Sequence, residues 1–193
     1  MEAGRKPAQG VVLSAAGQMG CLRVLDDVVR FTPSDREGWR AGDLPRLWAS
    51  RYWQVFDEDD LRLGLSQPDY HFCEWVGAIC FFLTQGCLSL VEKYGCPSHL
   101  RKEVVLNRLT GPEFTCFLEH APQQPPDLLV YAPDYSDWFF CEAKGPGDEL
   151  RPEQEGFFRE IRARTGKEIY LLRVVETSED SWFLRHACAG VSG

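Results

Sequence analysis

Pro125-Pro126-Asp127-Leu128-Leu129-Val130-Tyr131-Ala132-Pro133-Asp134-Tyr135-Ser136-Asp137-Trp138-Phe139-Phe140-Cys141-Glu142-Ala143-Lys144-Gly145-Pro146 is the stretch that decides the fold. Residues 128–131 and 138–141 are apolar runs of strand length, and the six residues between them are turn formers, so the segment reads as a β-hairpin. Charges stand where apolar periodicity would not put them. Asp127 opens the first strand, and Glu142 and Lys144 close the second. Side chains at i and i+2 of a strand share a face, roughly 7 Å apart. Glu142 and Lys144 therefore project together, Ala143 points into the other face, and Asp127 can join the pair from the neighbouring strand. Two carboxylates and an ammonium on one patch suit a hard cation such as Mg2+, which takes oxygen ligands, keeps several waters and clamps a phosphate. The lysine would then orient or deprotonate an attacking water, or neutralise charge on a phosphorane-like transition state. The plain alternative for a strand Glu-x-Lys is an exposed cross-strand ion pair.

Pro126-Asp127 followed by Glu142-Ala143-Lys144 resembles the PD-(D/E)xK nuclease signature. The continuation from Lys144 through Asp148, Leu150 and Gln154 to Phe158 resembles its VRR-NUC (virus-type replication-repair nuclease) branch. That branch includes the nuclease module of the Fanconi-anaemia-associated nuclease. The resemblance spans roughly residues 70–175 and is closest over 125–158. It implies that Asp127 and Glu142 bind a metal, with Ala143 also in the metal site, that Lys144 assists the water, and that Gln154 supports the site from the following helix. It further implies a metal-binding glutamate on the first core helix. Glu74 is the candidate, with Glu92, Glu103 and Glu119 as alternatives; the plain role for Glu74 is to favour its helix N-terminus.

A chain of 193 residues, 44% hydrophobic and 12% aromatic, can fill one sizeable core, so a single domain is expected. Its most apolar stretch, residues 75–91, is interrupted by Thr, Gln, Gly and Ser and does not make a membrane span. The start of the chain only faintly imitates a signal peptide, because its apolar run falls below the roughly 7–15 residues of a secretory core. The expected location is cytoplasmic. Eight cysteines without a Cys-x-x-Cys pair do not read as a disulfide framework. Cys73, Cys80 and Cys87 repeat every seven residues, about 10 Å apart on a helix, and read as packing residues rather than a zinc site.

The net charge of −8 argues against nonspecific coating of nucleic acid. Two stretches are nevertheless basic. Residues 93–108 carry Lys93, Arg101, Lys102 and Arg108 against Glu103. Residues 159–173 carry Arg159, Arg162, Arg164, Lys167 and Arg173 against Glu160 and Glu168. Together with Arg151, they are candidates to hold a phosphate backbone beside the acidic site.

Residues 1–20 are expected to be poorly ordered, 21–69 to pack as an accessory helical segment, 70–176 to form the nuclease-like core and 177–193 to be a peripheral tail. Within 21–69, residues 21–31 read as a short element and Asp43 as the N-cap of a helix. Trp39, Trp48 and Trp53 read as covering the core or a partner surface. The core reads as a helix from Pro68 to Gln85, a strand over 87–94, a helix over 98–109 capped by Ser98, a strand over 114–118, the hairpin, a helix over 151–164 and a strand over 168–176. That order predicts an α/β domain with a central mixed sheet flanked by helices. The family implies the restriction-endonuclease-like α-β-β-β-α-β core. The expected activity is Mg2+- or Mn2+-dependent hydrolysis of DNA in repair, recombination or phage-related processing. Stand-alone family members imply a homodimer on branched DNA, eukaryotic ones flaps. A second reading is a catalytically silent module of the same fold that binds nucleic acid or, through its N-terminal segment, a protein partner.

Overall fold

The computed structural model describes residues 15–19, 22–91, 94 and 99–178. Expectations for Glu92, Lys93, Ser98 and residues 179–193 lie outside them. The elements run β1 (Ala15–Met19), β2 (Leu22–Phe31), α1 (Pro33–Arg40), α2 (Asp43–Arg51), α3 (Glu58–Ser66), α4 (Phe72–Gln85), β3 (Leu88–Val91), α5 (Leu100–Thr110), α6 (Pro112–Glu119), β4 (Leu128–Tyr131), β5 (Trp138–Lys144), α7 (Pro152–Thr165) and β6 (Ile169–Glu176). Among the described residues the strands form one six-stranded mixed sheet in the order β1-β2-β6-β5-β4-β3. β6 is parallel to both β2 and β5, and the β3-β4-β5 meander is antiparallel. The expected α/β domain with a central mixed sheet is present.

Period-two alternation divides the core between the two faces of the sheet. Leu128, Val130, Cys141, Leu172 and Val174 pack with Trp75, Val76 and Ile79 of α4 and with Trp39 and Trp48 from α1 and α2. Leu129, Tyr131, Phe140, Ile169 and Leu171 pack with α5, α6 and Phe157, Phe158 and Ile161 of α7. α4 and α7 thus cover opposite faces. Strand β4 is buried along its whole length, which explains its unbroken apolar run Leu-Leu-Val-Tyr. The hairpin loop closes through Ala132 N–H to the Asp137 carbonyl and Tyr135 N–H to the Ala132 carbonyl, at 2.9 and 2.8 Å. Among the described residues no helix is long and apolar enough to cross a membrane.

Three local expectations are corrected. Residues 15–19, within the segment expected to be poorly ordered, form β1 and pair antiparallel with β2. The segment 21–69 is not only helical, because β2 enters the sheet beside β6. Asp26-Asp27 interrupts the apolar pattern of the sequence there, and the β2–β6 register shifts between Val24 and Val28. Residues 114–118 are helical, not a strand. Gly111, at φ 84°, ends α5, Pro112 occupies the first turn of α6, and Phe114, Thr115 and Leu118 fall on one buried helical face.

The α3 N-terminus locks the N-terminal segment to α5. Asp57 caps α3 by accepting from the N–H groups of Asp59 and Asp60, while Asp60 accepts from Asp57 N–H. Burial pushes the Asp57 carboxyl up, but the Asp60 N–H, the His99 ring and the Arg101 guanidinium outweigh it and leave it below its ordinary value. Its stabilising contribution is therefore complete above the unfolded value of about 3.9 and is lost as the pH falls through the lower folded value. Asp57→Ala is expected to cost about 1–2 kcal/mol in urea unfolding at pH 7. The difference from wild type should shrink below pH 4.

Candidate metal centre

The β4–β5 register pairs Leu128 with Cys141, so one step along the ladder Asp127 meets Glu142. Two bonds fasten them: Ala143 N–H donates to Asp127 Oδ2 at 2.9 Å, and Asp127 N–H donates to Glu142 Oε2 at 3.2 Å. Ala143 joins the site through its main chain; its side chain alternates to the α4 face, opposite Leu172 in the β5–β6 register. Glu142 is 2% exposed in its side chain, and its Oε1 lies 2.8 Å from Lys144 Nζ. The same oxygen accepts from Gln154 Nε2 at 3.1 Å. Gln154 sits in the first turn of α7, where its Oε1 accepts from Arg151 N–H at 3.2 Å, so its amide is held at both ends. The Glu-x-Lys pair is thus a buried contact supported by Asp127 and Gln154, not an exposed surface pair.

The surrounding backbone is built for this placement. Gly145-Pro146-Gly147-Asp148 turns the chain immediately after Lys144, with proline at the second position and Gly147 at φ 79° in the third, as a type II turn requires. Asp148 Oδ2 accepts from Gly145 N–H at 3.1 Å. A Cβ at position 145 would lie 3.1 Å from Cys73 Sγ, so loop and α4 close tightly on one another. Buried Tyr94 donates its phenol to the Pro126 carbonyl at 2.6 Å and pins the chain just ahead of Asp127. Glu74 stands in the first turn of α4 with Oε2 2.8 Å from His71 Nδ1.

Burial, then the Glu142 carboxylate, then Glu74, push the Asp127 carboxyl well above the ordinary range. Burial also raises Glu142, with Lys144 opposing and Glu74 adding to the rise. Three carboxylates thus feel one another at the same end of the sheet. This is a hard oxygen donor set whose mutual repulsion a divalent cation relieves, so the residues fit such an ion. Asp127, Glu142 and Glu74 do not meet as a set of three within 4.8 Å. With Glu74 held by His71, an ion on Asp127 and Glu142 would reach it through a retained water.

The basic candidates divide. Lys102 is corrected: its side chain is 4% exposed, with Nζ 2.6 Å from Asp60 Oδ1 and donating to the Val91 carbonyl at 2.6 Å. Arg101 donates to the Gln54 and Val55 carbonyls at 2.9 and 3.0 Å and lies 3.3 Å from Asp57 Oδ2. Neither side chain is presented to a phosphate backbone. Arg162 is committed to Glu168 at 2.7 Å. Arg151, capping α7, and Arg159 on it are exposed, and exposed Arg108 lies 3.7 Å above the Tyr135 ring. Asp57, Asp60 and His99 also bring ligand atoms within 4.8 Å of one another, but Lys102 and Arg101 already neutralise that cluster and make it an ion-pair lock.

His71, Gln67 and Tyr94 belong to the site and were missed as site residues. His71 carries one sequence signal, its i, i+3 spacing to Glu74; Tyr94 lies 32 positions from its partner and carries none. In comparisons with protein-family models, curated proteins and solved structures, nothing matched this chain.

Proposed function

We propose that this chain is a divalent-metal-dependent nuclease that hydrolyses DNA phosphodiester bonds, with Mg2+ or Mn2+ held by Asp127, Glu142 and Glu74. The observation that carries the reading is the Lys144 ammonium 2.8 Å from a buried Glu142 that shares its end of the hairpin with Asp127. A restriction-endonuclease-like arrangement is supported by α4-β3-β4-β5-α7-β6, which reads α-β-β-β-α-β once α5 and α6 are taken as an insertion between β3 and β4. When bound, the cation supplies Lewis-acid charge for a phosphate oxygen. Asp127 and Glu142 bind through their oxygens, and Gln154 keeps Glu142 from turning away. Lys144 orients the attacking water or offsets charge developing on the phosphate. Arg151, Arg159 and Arg108 offer exposed cations for the DNA backbone. We place this activity in the cytoplasm, on branched or flap DNA.

The test is cleavage of flaps, four-way junctions and linear duplex with Mg2+ or Mn2+, run alongside gel filtration for a homodimer. Metal-dependent cutting of at least one substrate, abolished by EDTA, is the expected result. No cutting of any substrate with either metal would leave the silent-module reading in its place.

A further inference from the structure

We infer that His71 is a positioning residue that aims Glu74 at the metal centre, an inference that rests on the nuclease reading above. Three independent features converge on it. His71 has a left-handed backbone, φ 67° and ψ −7°, at the cap position of α4. Its Nδ1 lies 2.8 Å from Glu74 Oε2, and its Nε2 lies 2.9 Å from Gln67 Oε1. Its side chain is 11% exposed.

The backbone conformation is one that a histidine side chain makes costlier. A non-glycine residue in the left-handed region costs of the order of 1 kcal/mol, and glycine would hold the same turn without that cost. Backbone conformation alone would favour glycine at 71. The hydrogen bonds say what the imidazole does there. An ionised Glu74 only accepts, so Nδ1 carries a proton toward Oε2. On the far side Gln67, the residue closing α3, either accepts from a second ring N–H or turns its amide to donate to Nε2; both arrangements leave Nδ1–H on Glu74. The ring is thus anchored by one helix and orients the acid of the next. With Oε2 engaged by His71, Oε1 is the Glu74 oxygen left to face an ion on Asp127 and Glu142, which it would reach through a retained water. A histidine holding a metal-site carboxylate is an outer partner of the kind whose loss weakens metal affinity about 10–100-fold.

The experiment is a Mn2+ titration of the melting temperature of the full chain. His71→Gly relieves the backbone but loses the two imidazole hydrogen bonds, so each variant is compared with its own melting temperature in EDTA. His71→Gly should need about tenfold more Mn2+ than the wild type to reach half of its full shift. His71→Asn, which tolerates the left-handed region and keeps an amide donor, should recover most of that loss. In a Glu74→Gln background, His71→Gly should cause no further weakening, because the two act as one unit. An unchanged Mn2+ midpoint in His71→Gly would overturn the role of His71 and leave the metal centre standing. A tenfold loss that persists in the Glu74→Gln background would overturn the route through Glu74. A wild type with no Mn2+-dependent shift would remove the metal reading and this inference with it.

Discussion

Glu142→Gln is expected to abolish both DNA cleavage and the rise in melting temperature that Mg2+ or Mn2+ gives the wild type. At a metal concentration near a hundred times the dissociation constant, that rise corresponds to about 2.7 kcal/mol, or roughly 5–10 °C for a domain of this size. Lys144→Ala should separate the two effects. It removes the ammonium that lies 2.8 Å from Glu142 Oε1 but no oxygen ligand. Metal stabilisation should therefore persist, while cleavage falls roughly 10²–10⁴-fold and DNA affinity falls only modestly. The same centre gives a pH signature in the metal-free protein. Asp127 is raised in the fold by burial, Glu142 and Glu74. Its stabilising contribution is complete below the unfolded value of about 3.9 and is lost as the pH rises through the higher folded value. Asp127→Asn should accordingly melt higher than wild type in EDTA at pH 7, lose that advantage below pH 4, and show no metal response. A Lys144→Ala variant that cuts as fast as wild type would remove Lys144 from the reaction.

Lys102→Met is expected to destabilise the protein by about 3–5 kcal/mol, the cost of leaving the buried Asp60 carboxylate with only the more distant Arg101, at 3.7 Å, as its cation. Asp60 is 1% exposed, and burial already pushes its carboxyl up against the pull of Lys102. Lys102→Met combined with Asp60→Asn should recover most of the loss in urea unfolding. Asparagine removes the buried charge and keeps an oxygen for the Asp57 N–H bond. Lys102→Met should leave DNA affinity unchanged at temperatures where it is folded. Arg159→Ala, on the exposed face of α7, should weaken DNA binding uniformly across sequences and reduce the salt slope by about one. A Lys102→Met variant with full stability and weakened, less salt-sensitive DNA binding would restore this lysine to the phosphate contacts.

Those two residues mark the boundary between what local sequence carries and what it does not. The hairpin was legible because strand alternation and turn chemistry act over a few residues. The helix over 151–164 was legible for the same reason. Once the hairpin was placed, period-two geometry put Glu142 beside Lys144 and opposite Asp127, and the family resemblance added Gln154.

Other placements depended on partners far away in the chain. β2 joins the sheet only because β6 lies beside it, and its Asp26-Asp27 interruption hid a strand whose register shifts between Val24 and Val28. The apolar, aromatic-rich composition of residues 114–118 suited a strand, but a buried stripe at helical spacing decided for α6. Arg101 and Lys102 had the composition of a phosphate-binding patch. Asp57, 44 positions from Arg101, and Asp60, buried under Lys102, turned them inward instead. A solvated cation and a buried one are the same letter in a sequence. By itself, this sequence determined the hairpin and the acids and lysine at its end, because backbone periodicity dictates both. Only the tertiary structure decided which charges face solvent and that His71 holds Glu74, because the partner and burial of a side chain are set by elements that meet only after folding.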